Sequence, residues 1–145
     1  MNSKTKKLKN NDKNSDVSTD ESNIQKFFAG KTVFLTGSTG FLGQCIVEKL
    51  LRGCPDLNKL YMLVRPKRGM SVSERLKKYF NLEIFDLLRE KSPNFMEKIV
   101  LVEGELTEEN FGLTESIRNT LIEETEIMIH NAATVKFHEK PSLAL

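Results

Sequence analysis

The sequence predicts an α/β fold, a doubly wound parallel sheet with helices on both faces. Three observations point to it. Four short apolar runs have strand length, helical stretches with recognisable caps lie between them, and three glycines, Gly37, Gly40 and Gly43, stand where the first run meets the first helix. Strand, helix and strand within about 30 residues make a crossover unit, and such a crossover implies parallel strands. At 145 residues, with 39% hydrophobic and 29% charged residues, the chain has the make-up of one soluble domain with a real core. A net charge of +2 creates no global field, so no nucleic-acid partner is expected and partners must be argued from sites.

The elements follow in order. Residues 1–23 contain only Met1, Leu8 and Val17 as apolar residues and no aromatic. Such a segment cannot bury enough surface to offset its ordering entropy, and it reads as a disordered polar tail; its K-T-K-K-L-K reads first as a solvated terminus, with a nuclear-import signal or an acidic-lipid contact as alternatives. Residues 24–145 read as the N-terminal part of a doubly wound domain, incomplete after about four strands, with Phe27 and Phe28 as the first aromatic anchor. Thr32–Thr36 is a buried strand. A helix from about Gly40 to Arg52 should turn Leu42, Ile46 and Leu50 inward, and Gly53 and Pro55 stop it. Lys59–Val64 is the second strand. Ser71 and Glu74 have capping-box spacing and open a helix to about Phe80. A second helical stretch, Asn81–Lys91, ends before Ser92-Pro93, so this crossover carries two helices. Lys98–Val102 is the third strand, Thr114 caps a helix through about Glu123, and Glu126–His130 is the fourth strand. The order β-α-β-α-α-β-α-β is that of a Rossmann-like sheet.

The glycines carry the chemistry. Each costs roughly 0.5–1 kcal/mol relative to alanine inside an element, so three together need a reason. Gly37 makes the turn out of the first strand, Gly40 leaves room for a pyrophosphate, and Gly43 allows the helix to pack closely on the sheet. The phosphates then face a helix N-terminus, whose free N–H groups and dipole favour anions, and the hydroxyls of Ser38 and Thr39 add donors. An NAD site places a carboxylate at the end of the second strand, whereas NADP calls for positive charge there. After Val64 come Arg65, Pro66, Lys67 and Arg68, with no carboxylate, which favours NADP(H). The other strand ends, Glu103 to Leu106 and Asn131 to Ala133, face the same crevice. Gly30-Lys31-Thr32 is no P-loop, because it precedes the strand and lacks the earlier glycine. His130 and His138 have no further ligand at metal spacing, and Cys45 and Cys54 lack the partners of a reactive or disulfide pair. No apolar window reaches membrane-spanning length and no secretory signal opens the chain, so an aqueous, reducing, cytoplasmic setting is expected.

With T-G-S-T-G-F-L-G (Thr36 to Gly43), L-L-R-G-C-P-D, Y-M-L-V-R-P-K-R-G and H-N-A-A-T-V-K-F-H-E in view, the chain resembles the extended short-chain dehydrogenase/reductases. Within them it looks like the N-terminal portion of the fatty acyl-CoA reductases, especially those of insects. The resemblance implies NADPH-dependent reduction of a long-chain fatty acyl-CoA to a primary alcohol, through an aldehyde. It places Gly37, Thr39, Gly40, Phe41, Leu42 and Gly43 at the pyrophosphate, Arg65 and Arg68 at the 2′-phosphate, and Ala132 and Ala133 along the cofactor. Glu105, with Leu106 beside it, stands where the family has aspartate near the adenine. The family's Tyr-x-x-x-Lys pair is missing: Tyr61 is followed at that spacing by Arg65 and Tyr79 by Glu83. The expectation is therefore a fragment holding half a cofactor site and inactive alone. For the full-length family, peroxisomal or endoplasmic-reticulum membranes are implied, through an anchor outside this chain. A cofactor-binding or interaction protein without activity, and another extended reductase or epimerase, stand as alternatives.

Overall fold

In the computed structural model, which describes residues 22–66 and 68–133, strand β1 (Thr32–Thr36) lies inside a four-stranded sheet. Its neighbours are β2 (Lys59–Val64) and β4 (Ile127–His130), and β3 (Ile99–Glu103) pairs with β2, giving the order β3-β2-β1-β4 with every pair parallel. The register sets Val33 against Leu60 on one side and Ile127 on the other. All five residues of β1 are buried, as expected of a parallel strand covered on both faces. The chain passes from β1 to β2 to β3 in one direction and then returns to the far side of β1, so the switch point falls between β1 and β4.

Alternation along the strands divides the core in two. Val33, Leu35, Leu60 and Met62 face helices α2 (Phe41–Gly53) and α4 (Asp86–Lys91) together with the aromatic end of α3 (Val72–Phe80). There Phe80 packs on Phe85 and Phe95 with ring centroids 4.8 and 4.9 Å apart. Phe34, Tyr61, Leu63 and Val102 face the other way, against Leu121 of α5 (Glu115–Glu124). Helices thus cover both faces, as the sequence predicts.

Local chemistry explains the helix starts. Ser71 and Glu74 form the expected capping box, and the Thr114 hydroxyl accepts from the Ile117 amide. A further box, Ser22 with Gln25, opens a short helix α1 (Asn23–Phe28) that the sequence reading left unassigned. Ser22 and Asn23 therefore belong to the folded part, ahead of the expected boundary, while residues 1–21 lie outside those described. Of the two aromatics there, Phe28 packs on the core and Phe27 is exposed, so only Phe28 anchors the segment.

Three other expectations are corrected. On α2 the expected Leu50 is buried and Ile46 packs on the core, but Leu42 is 60% exposed, and Gly43, Val47 and Leu51 complete the inward face. The stretch Asn81–Lys91 is not one helix: Asn81 ends α3, a 3-10 turn spans Glu83–Phe85, and α4 begins at Asp86. Strands β3 and β4 each begin one residue later than read, because Lys98 closes a 3-10 turn and the Glu126 carboxylate instead accepts from the Thr32 amide at 3.1 Å.

Candidate functional site

The carboxyl ends of all four strands lie along one edge of the sheet, and the loops leaving them carry the residues singled out from the sequence. Residues 37–40 leave β1, 65–70 leave β2, 104–106 leave β3 and 131–133 leave β4.

The three glycines have three different reasons. Gly37 has φ +70°, and a Cβ there would lie 2.6 Å from the Ala132 nitrogen, so it combines a left-handed turn with close approach to the β4 loop. Gly43 is buried, and a Cβ there would press on the backbone of Gly37 and, at 2.7 Å, on the Ser38 Cα. What Gly43 permits is contact between the first turn of α2 and the loop itself. Gly40 is different. It is exposed, has φ −75° and ψ 168°, and the nearest protein atom to its Cβ position is the Gly37 oxygen at 3.5 Å. Nothing among the described residues demands a glycine there.

Gly40 is also the N-cap of α2, and no side chain caps this 13-residue helix, whereas Ser22, Ser71 and Thr114 cap α1, α3 and α5. Helix geometry leaves the first amides of such a turn without intrahelical acceptors. Thr39 and Gly40 are exposed beside them, as are Phe41 (84%) and Leu42 (60%), so any contact these last two residues make with an anion is through the backbone. Ser38 is a correction. Its side chain is fully buried and its Oγ has no partner among the described residues, so its hydroxyl does not face the crevice as expected.

At the end of β2, the exposed Arg65 forms an ion pair with the half-buried Glu105, Nε to Oε2 2.9 Å. Two residues assigned to the cofactor separately are thus joined to each other. Arg68 is exposed on the same loop, and Lys67 lies outside the described residues. Leu106 packs on the cluster of Phe34, Tyr61, Leu63, Val102 and Leu121 and so contributes an apolar floor. After β4, the Ala132 amide donates to the Thr36 hydroxyl at 3.3 Å, which also shares a 2.8 Å hydrogen bond with His130 Nδ1. The Asn131 side-chain amide donates to the Gly37 carbonyl at 3.3 Å. These contacts fasten the glycine loop to β4, with Ala132 and Ala133 beside it. Residues 134–145, with Thr134 to Phe137 and His138, lie outside those described.

Thr36, His130 and Asn131 were not among the assigned site residues, and neither were Arg75 and Tyr79, which hold the loops from α3. Their signal lies in the pairing of distant strands and helices, to which a local pattern gives no access.

Comparison with known proteins agrees with this geometry. The family model described as male sterility protein, an NAD-binding domain, matches residues 35–145, from the end of β1 through every loop described above. The chain belongs to the male sterility protein family. Its relatives include the proteins named fatty acyl-CoA reductase 1 of Pongo abelii and Homo sapiens, 46% and 45% identical over 116 residues. A Drosophila melanogaster relative is 43% identical over 117 residues, so insect and vertebrate members are about equally similar to this one. The alignments cover 80% of this chain and 22% of the Pongo and human relatives; the chain spans about a fifth of their length. Among solved structures, the terminal R domain of the myxalamid PKS-NRPS pathway has a TM-score of 0.58 at 32% identity, over 75% of this chain and 26% of that one. The reductase domain of a non-ribosomal peptide synthetase from Mycobacterium tuberculosis has a TM-score of 0.58 at 31% identity, over 72% of this chain and 24% of that one. The Rossmann-like architecture and the resemblance to fatty acyl-CoA reductases are thereby shown for this family member.

Proposed function

We propose that this chain is the cofactor-binding segment of an NADPH-dependent reductase that converts long-chain fatty acyl-CoA to the primary alcohol. The observation that carries the reading is Gly40: no described residue requires a glycine there, and the open space over it adjoins the uncapped first turn of α2. A pyrophosphate fits that space, since it would take the first-turn amides as donors and fill the position a side chain would occupy. The Thr39 hydroxyl adds a donor at the exposed rim. Arg65 presents a guanidinium at the end of β2, where a forked donor suits a 2′-phosphate, and Glu105 holds it there in the ion pair. Arg68 adds charge to the same loop, and Ala132 and Ala133 leave the crevice flat beside β4. When bound, the nicotinamide supplies the hydride; the residues here bind and orient its carrier.

Neither tyrosine of the chain is placed to donate a proton in this crevice. The Tyr61 hydroxyl donates to Glu124 at 2.6 Å near the start of β2, and that of Tyr79 donates to the Ser38 carbonyl at 2.6 Å. The acid of the reaction is therefore assigned outside the described residues, consistent with relatives several times longer. The acyl-CoA substrate class is supported by the names of those relatives.

The test is turnover by the full-length protein, with NADPH or NADH, of a long-chain acyl-CoA, measured as cofactor oxidation and alcohol released. NADPH consumption with primary alcohol as product is expected. Turnover with NADH at equal or greater kcat/KM would overturn the cofactor assignment, and failure to reduce any acyl-CoA would overturn the substrate class.

A further inference from the structure

Two side chains of α3 reach past the core to the loops of the cofactor crevice, and they stand four residues apart on one helical face. Arg75, with its side chain only 13% exposed, donates to the Arg65 carbonyl, Nη2 to O 2.7 Å, and forms an ion pair with the Glu103 carboxylate at the end of β3. Tyr79 donates its hydroxyl to the Ser38 carbonyl at 2.6 Å. One helix therefore holds one carbonyl in each of the two loops assigned to phosphates. Between these contacts lies a cavity of about 240 Å³ lined by Thr39, Val64, Met70 and Leu76 as well as Arg75 and Tyr79.

Core packing does not call for either polar contact. The Tyr79 ring lies against Phe80 and Phe85 at 4.8 and 4.9 Å, contacts a phenylalanine would make equally well. Burial pushes the Tyr79 phenol well above its ordinary range, so the hydroxyl keeps its proton and acts as a donor. Arg75 directs its guanidinium away from the core, to a backbone oxygen and a strand-end carboxylate.

We infer that Arg75 and Tyr79 are positioning residues for cofactor recognition, Tyr79 shaping the loop that faces the pyrophosphate and Arg75 the loop that presents Arg65 to the 2′-phosphate. The assignment rests on the NADPH reading and deepens it. It divides the labour in a way that overall stability cannot imitate: loss of the Tyr79 contact affects every dinucleotide, while loss of the Arg75 contacts affects the one with a 2′-phosphate.

The experiment uses full-length protein with Tyr79→Phe, Arg75→Gln and Arg75→Lys, measuring Kd for NADPH and NADH, kcat at saturating NADPH, and Tm. Tyr79→Phe should weaken both cofactors by a similar factor of about five, the worth of one neutral hydrogen bond. Arg75→Gln should weaken NADPH on the order of tenfold, as loss of a charge-assisted contact predicts, and NADH by less than about twofold. In each, kcat at saturation should stay within about twofold of the parent. Arg75→Lys, which keeps the charge opposite Glu103, should recover part of the NADPH affinity and serves in place of Arg75→Gln where that variant does not fold. Equal loss of NADPH and NADH in the Arg75 variants, or unchanged affinity in folded Tyr79→Phe, would overturn the inference. A parent protein binding NADH as tightly as NADPH would instead overturn the cofactor reading, leaving the Tyr79 comparison to decide the pyrophosphate half.

Discussion

Replacing Gly40 by alanine separates what the glycine loop does for the fold from what it does for a ligand. The backbone at Gly40, φ −75° and ψ 168°, is ordinary extended chain that alanine adopts freely, and the added methyl meets only the Gly37 oxygen, at 3.5 Å. The folded state loses about 0.5–1 kcal/mol because alanine is a poor N-cap, and regains about 0.4–1 kcal/mol because the unfolded chain has less freedom to lose. Those terms nearly cancel, so Tm should move by no more than a few degrees. The same methyl points into the open space over the first turn of α2. Holding a phosphate away from those amides forfeits about 1.5–3 kcal/mol of charge-assisted hydrogen bonding, or on the order of ten- to a hundredfold in Kd. Gly37→Ala is the control: at φ +70° alanine costs about 1–2 kcal/mol, and its Cβ would lie 2.6 Å from the Ala132 nitrogen. That variant should lose stability first and binding as a consequence. The assay is NADPH titration and a thermal melt on the same full-length preparations. Gly40→Ala with parental Tm and parental NADPH affinity would refute the phosphate explanation, since a substitution in the phosphate's path cannot be neutral.

Arg65→Asp should reverse the charge beside the 2′-phosphate and set it against Glu105, weakening NADPH far more than NADH; equal weakening in parallel titrations would place Arg65 outside the site. Phe85→Ala should destabilise the fold by about 3–5 kcal/mol, because Phe85 is fully buried at the centre of the aromatic cluster, and denaturant unfolding measures the loss. The Lys31 ammonium, and then the Thr32 amide, hold the Glu126 carboxyl below its ordinary range. A depressed carboxylate contributes stability above its unfolded pKa and loses it as pH falls through the folded one. Glu126→Gln should therefore lower Tm at neutral pH and flatten the decline below about pH 4.3, which melts across an acid series would show. Ser71→Ala should cost about 1 kcal/mol through loss of the α3 capping box, with less effect on Tm than Phe85→Ala.

Features written into neighbouring residues were legible in the sequence, and those written into distant pairings were not. The box of Ser71 and Glu74 could be read because both partners sit within one turn, and the parallel sense of the strands because a helix lies between each strand and the next. Four-residue spacing finds Ile46 and Leu50 on the inward face of α2 but adds the exposed Leu42 and passes over Gly43, a residue with no hydrophobicity to signal burial. Gly37 and Gly43 were recognised as special, but the backbones they approach belong to residues 131–132 and 37–38, and only the folded loop shows which glycine the protein itself requires. Serine within a glycine loop signals a donor to phosphate, but burial withdraws the Ser38 hydroxyl from that use. The pairing of Arg65 with Glu105 depends on the parallel register of β2 and β3, which sets Val64 opposite Glu103 and brings the next loops together. Asn110 and Phe111, both at left-handed φ, form a bend after β3 that residue identity does not announce, since phenylalanine rarely adopts it.

The sheet order has a consequence for how this protein is born. β1 finds β2 soon after synthesis begins, but its other neighbour, β4, lies far down the chain, with Thr36 and His130 separated by 94 positions. At a translation rate of about 5–20 residues per second, one side of the most buried strand waits on the order of 5–20 s after leaving the ribosome before its partner follows it out. During that interval T-V-F-L-T presents an apolar, unpaired edge, open to the wrong strand from another chain. The glycine loop waits with it, because Gly37 and Thr36 take their hydrogen-bonding partners from Asn131, Ala132 and His130. That loop thus acquires its shape late, when the fourth strand closes the seam.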